Sequence, residues 1–136
     1  MSALKLASVV AVVLLAGMGL AGCISPASGF AVLDRAAEAG DALPKDLPDY
    51  ADDSLDPTTS RFVGEHDGDR LYLARGDNSA ICLVIYPNNE EWVVGCGEGG
   101  GLTAVSGPSG TYEIRPDGAP APTGAEEISP NVFTAG

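Results

Sequence analysis

Two short apolar runs, residues 80–86 and 91–96, narrow the possible folds more than anything else in this 136-residue chain. They flank Pro87-Asn88-Asn89, and each carries a cysteine, Cys82 in the first and Cys96 in the second. Closing them as an antiparallel hairpin around Asn89 sets Cys82 opposite Cys96, Val84 opposite Val94 and Tyr86 opposite Trp92. One register thus yields three compatible pairs on one face. Opposed residues at a non-hydrogen-bonded position lie ~4.5 Å apart at Cα, within reach of a disulfide. A Cys82–Cys96 bond is therefore expected, worth roughly 3 kcal/mol for a closed loop of this size. The competing reading is two free thiols in a core. The other face of the first run carries Ile81, Leu83 and Ile85, so this strand should be central and covered on both sides. Gly95 should allow close backbone approach on that second face.

The neighbouring sequence has the same grain. Residues 61–66, 69–75, 102–106 and 111–115 read as further strands, divided by Asp67-Gly68, Gly76-Asp77-Asn78 and Gly107-Pro108-Ser109-Gly110. Val132-Phe133 reads as a closing edge. The fold class that follows is mainly β: a small antiparallel sheet, barrel-like or two-layer, stapled by one disulfide, after a signal helix and a flexible linker. Roughly 80 residues are left for packing, a size at which a covalent staple matters.

The chain opens differently. Residues 1–22 have the parts of a secretory signal peptide: a short n-region with Lys5, an apolar h-region over 6–20, and small residues before Cys23. The h-region falls short of the ~20 residues that span a bilayer. Leu20-Ala21-Gly22-Cys23 resembles the lipobox of bacterial lipoproteins. That resemblance implies cleavage between Gly22 and Cys23 and transfer of a diacylglycerol to the Cys23 thiol. It implies a partner, the membrane, reached through fatty chains of the palmitate kind, and a location on the extracytoplasmic face of the cell membrane. Two chains anchor stably where one does not. Export also places Cys82 and Cys96 outside the reducing cytosol and leaves Cys23 as the odd cysteine. Cleavage by an ordinary signal peptidase, giving a free secreted protein, is the alternative. The later domain resembles small lipoproteins of high-GC Gram-positive bacteria, through Cys82-Leu83-Val84 and Trp92-Val93-Val94-Gly95-Cys96; this implies no activity.

Residues 23–56 read as a lipid-anchored acidic linker, with 57–136 as the β domain. The stretch contains Pro26, Pro44 and Pro48, and eight acidic residues against Arg35 and Lys45. A short helix is expected over 31–39, stopped by Gly40. A flexible chain of ~33 residues spans roughly 30 Å, which would hold the domain off the bilayer.

Charge excludes whole classes of partner. Nineteen acidic residues face seven basic ones, and Lys5 lies in the leader, so the remainder carries a net charge near −13. Nucleic acid phosphates and anionic lipid surfaces repel such a chain.

No motif selects a chemistry. Asp49, Asp52, Asp53 and Asp56 lack the central Gly and final Glu of a calcium loop and read as solvated. Cys82, Cys96 and His66 lack zinc-site spacing, so no metal is expected. Gly95-Cys96-Gly97-Glu98-Gly99-Gly100 matches the dinucleotide letters, but no helix start follows; it reads as a flexible loop, and no cofactor is expected. His66, the lone histidine, reads as an exposed turn residue without a serine nucleophile motif, so no catalytic residues are assigned. Glu90-Glu91 reads as a solvated turn pair, and Tyr86 with Trp92 as a cross-strand pair rather than a stacking site. The expected function is a non-enzymatic binding or accessory module of the cell envelope. The alternatives are a small cell-wall hydrolase, with an acid/base pair in a cleft, or a protease inhibitor-like domain with a rigid loop near 97–101.

Overall fold

A computed structural model describes residues 29–98 and 103–135 of the chain. Two antiparallel four-stranded sheets pack face to face, and there is no closed barrel. The first is a meander in the order β1 (Leu55–His66), β2 (Asp69–Gly76), β3 (Ile81–Tyr86), β4 (Val93–Gly97). The second has the order β5-β6-β8-β7, from β5 (Thr103–Gly107), β6 (Gly110–Ile114), β7 (Glu127–Ser129) and β8 (Val132–Thr134). Val132-Phe133, expected at an edge, thus lies inside the second sheet. The edge falls to β7, whose three residues are too few to show a period-two pattern.

Turn chemistry accounts for the first hairpin. Asp67 and Gly68 both have positive φ, +48° and +84°. This is the primed turn whose twist matches that of the flanking strands. The β3–β4 register follows the cysteine argument: Cys82 faces Cys96, Val84 faces Val94, and the sulfurs are bonded with the Cα atoms 4.0 Å apart. The ladder stops at Ile85–Val93, one pair short of Tyr86–Trp92.

Apolar alternation along β2 and β3 divides the interior in two. Leu71, Leu73, Ile81, Leu83 and Ile85 meet Val105, Tyr112, Ile114 and Val132 between the sheets. Tyr72, Ala74, Cys82 and Val84 point to the opposite face of the first sheet and form a second cluster with Leu55. The sheets close most tightly where β4 crosses β5. A Cβ on Gly95 would stand 2.6 Å from Val105 Cγ1, and one on Gly97 would overlap Thr103 Oγ1, so both positions require glycine. The glycine-rich stretch expected to be a loop therefore begins inside a strand; Gly99 and Gly100 lie outside the described residues.

The second cluster needs a cover, and the segment expected to be a linker supplies it. Phe30 and Leu33 are buried in the main core, at 1% and 5% exposure. Leu43 packs on the outer cluster, and Ala51 and Leu55 are buried. From Phe30 onward, then, the linker reading is corrected: the chain is a strap folded over the first sheet. It lacks sustained periodicity because it runs as single turns. α1 spans only Ala31–Asp34, and 3₁₀ turns follow at Ala39–Asp41 and Asp49–Ser54. The helix expected over 31–39 ends at Asp34, because Arg35 is extended (ψ 158°). The acidic cluster near residue 50 lies in the second 3₁₀ turn, with the Ala51 side chain turned inward.

Candidate functional site

A buried carboxylate fastens the strap. Asp41, 3% exposed, accepts a bidentate pair from Arg35, Nη1 to Oδ2 at 2.7 Å and Nη2 to Oδ1 at 2.9 Å. It also accepts the backbone N–H of Glu38 (2.7 Å) and of Phe62 in β1 (2.9 Å). The Arg35 guanidinium, followed by the two backbone donors, holds the Asp41 carboxyl far below the usual carboxylate range, against the opposing effect of burial. Arg61 completes the knot, donating from Nε and Nη2 to the Arg35 carbonyl. Ser60 Oγ donates to the Asp41 carbonyl at 2.6 Å. Fixed in this way, Arg35 stands at the rim of a cleft.

The cleft, about 430 Å³, is largely apolar. Val32 of α1, Phe62 and Val63 of β1, and Pro130 of the β7–β8 turn line it, with Arg35, Asp117 and Asn131 among its polar residues. Its far wall is tied together by hydrogen bonds. Asn131, 2% exposed, donates from Nδ2 to the Arg115 carbonyl and to Asp117 Oδ1, both at 2.9 Å. Asp117 Oδ2 accepts the Ala31 N–H at 2.8 Å, and the Asp117 N–H donates to the Gly29 carbonyl at 2.7 Å. A preformed apolar recess with a few fixed polar groups can receive a small apolar group and orient it. A second recess, about 360 Å³, lies where Leu43, Pro44, Lys45 and Leu47 meet Pro57 and Thr58. Sequence reasoning missed the main cleft because its walls come from segments some 85 positions apart. The apolar pair Phe30 and Leu33, at helical spacing, was the one local signal that the strap docks.

A second buried carboxylate links the sheets. Asp69, fully buried at the start of β2, accepts Tyr112 Oη–H at 2.6 Å and Ser109 Oγ–H at 3.3 Å. Burial first, and then this bond to Asp69, push the Tyr112 hydroxyl above its ordinary value. His66 stands beside them, its ring edge-on to Tyr112 with centroids 5.9 Å apart. Its side chain is 21% exposed, so it is a packed strand-end residue rather than the exposed turn residue expected. Its nitrogens face Asp67 (3.2 Å) and Glu126 (3.8 Å). Among the described residues no hydroxyl is hydrogen-bonded to either nitrogen.

The remaining expected residues fall as follows. Cys82 and Cys96 are joined, and both sulfurs lie against the Ser54 carbonyl oxygen, at 3.5 and 3.7 Å; Cys82 is buried there and Cys96 remains exposed. Gly22 and Cys23, the expected cleavage and lipidation residues, lie outside the described residues. Glu90 and Glu91 are exposed, and their N–H groups donate to Asn88 Oδ1, making the turn. Tyr86 donates to Asp46 Oδ1; that bond, and then burial, push its hydroxyl up to about 12. Among the described residues no three His, Cys, Asp or Glu side chains are grouped to hold a metal, and no helix is long and apolar enough to cross a membrane. No protein-family model, curated protein or solved structure matches this chain.

Proposed function

We propose that the protein is an extracytoplasmic lipoprotein, anchored by diacylglycerol on Cys23, that serves as a non-enzymatic binding or accessory module of the cell envelope. The observation that carries this reading is Leu20-Ala21-Gly22-Cys23 placed directly after a charged n-region and an apolar h-region. The Cys82–Cys96 bond supports it twice. It suits an oxidising compartment, and it leaves Cys23 as the cysteine available for acylation. The cleft beside Phe62 is where such a module would take its ligand. His66 lines neither of the two recesses described above.

The test is intact mass of the full chain extracted from membranes of a Gram-positive host, with and without reductant. A mature protein beginning at Cys23, heavier by a diacylglycerol and gaining two hydrogen atoms from the reductant at its disulfide, is expected. Cys23→Ser should move the protein from the membrane fraction to the culture fluid. A wild-type chain that begins elsewhere, or that stays in the fluid unacylated, overturns the proposal.

A further inference from the structure

We infer that the Cys82–Cys96 bond is a site of thiol–disulfide exchange, attacked at the exposed Cys96 sulfur by an uncharged or basic-faced dithiol reductant, with Cys82 leaving into a seat under the Ser54 carbonyl. The inference goes beyond the envelope-module reading and does not depend on Cys23. A disulfide with both sulfurs sealed in a core acts as a staple, whereas one with a sulfur open to solvent is of the kind that exchanges. Here the two sulfurs differ. Cys82 is fully buried in β3, and Cys96 is exposed in β4. The difference has a structural cause. β4 is the outer strand of the first sheet, so Cys96 has a neighbouring strand on one side only. The residues next to it are Gly95 and Gly97, held to glycine by the approach of Val105 and Thr103. No adjoining side chain in the strand therefore shades its sulfur.

Access decides which sulfur is struck, and that choice makes Cys82 the leaving group. Its seat is already built. A Cβ on Gly76 would stand 2.7 Å from Cys82 Sγ and 2.9 Å from the Ser54 carbonyl oxygen, so glycine at the end of β2 leaves the space that the sulfur fills. The Ser54 oxygen lies 3.5 Å from that sulfur. While the bond is intact, neither sulfur carries a hydrogen. In the exchange, the electron pair of the attacking thiolate forms a new S–S bond to Cys96, and the pair of the broken bond passes to Cys82. Cys82 takes a proton from solvent, and its S–H then donates to the waiting Ser54 oxygen. The second thiol of the reductant, as its thiolate, attacks the mixed disulfide and releases Cys96, which is protonated in turn. The reductant leaves as a disulfide, oxidised by two electrons, and the protein holds two thiols. Charge narrows the class of reductant. Nineteen acidic residues face seven basic ones, and exposed Glu98 stands two positions from Cys96, so a small anionic thiol is repelled.

The test uses the full chain in native buffer. Reduction by dithiothreitol should proceed at a rate proportional to reagent concentration, as attack on the folded protein requires. A rate that levels off at the rate of global unfolding overturns the proposal. Brief exposure to 2-mercaptoethanol, quenching in acid and mass mapping of peptic fragments should place the mercaptoethanol adduct on the Cys96 fragment. An adduct on the Cys82 fragment, or one shared equally, overturns it. The single-thiol variants give the same comparison from the reduced side. N-ethylmaleimide should label Cys96 in Cys82→Ser at least tenfold faster than Cys82 in Cys96→Ser, with labelling at Cys23 mapped separately. Equal labelling of two folded variants overturns the asymmetry, and the wild-type measurements stand if either variant fails to fold. Glutathione at matched thiolate concentration should reduce the wild type several-fold more slowly than dithiothreitol, with added salt narrowing the gap. Equal rates at low salt overturn the stated class of reductant.

Discussion

Asp41 joins the strap to itself and to β1. Its two oxygens gather Arg35, Glu38 and Phe62, so neutralising it leaves backbone donors and a partly exposed guanidinium underserved. Asp41→Asn should cost about 2 kcal/mol in urea unfolding. The pH dependence has a definite sign. The folded-state carboxyl titrates well below its ordinary value. Its stabilisation is therefore fully present above about pH 4 and drains away as the pH falls toward the folded value. The wild-type unfolding midpoint should drop on acidification below pH ~4, and the Asp41→Asn midpoint should drop less. Equal slopes would show that the carboxylate is not the acid-sensitive fastener. Asp69 is the counterpart between the sheets, where Tyr112 and Ser109 supply its donors.

At the scale of elements, the crossing of β4 over β5 is set by what is missing from two residues. Gly95→Ala drives a methyl group into Val105 and should cost about 2 kcal/mol. Val105→Ala removes the obstructing methyls, so the double variant should lose less than the sum of the singles by about 1 kcal/mol, read from chemical denaturation midpoints. Strict additivity would place the tight contact elsewhere. This hairpin was legible in the sequence because alternation, two cysteines and a turn all demanded one register. The first hairpin was legible through Asp67-Gly68. β7 was not, since three residues carry no period. The strap was not either: its buried residues, Phe30, Leu33, Asp41, Ala51 and Leu55, fall at irregular intervals among prolines and carboxylates. Composition read that polarity as solvation, but Asp41 is spent inside. The sequence did pose the right question. Both faces of β3 are apolar, and something had to lie over Cys82 and Val84. The cleft had no local trace, because its two walls meet only after the strap has docked.

For the whole molecule, the strap belongs to the folded unit. Phe30 is a full-sized core residue placed directly before α1. Phe30→Ala should cost about 3–4 kcal/mol, as core truncations of this kind do. It should also expose residues 29–54 to limited proteolysis, leaving a fragment that begins near β1. A variant as stable and protease-resistant as the wild type would restore the picture of a loose linker over residues 30–54.

The strap also bears on how the fold is made. It precedes in the chain the strands it covers, and chains emerge from synthesis N-terminus first. When β2 and β3 come together, the partner for their outer face has already been delivered. The side chains of Tyr72, Ala74 and Val84 can therefore be sheathed as the sheet forms, with no interval spent waiting for a later segment while neighbouring molecules compete for the same sticky surface.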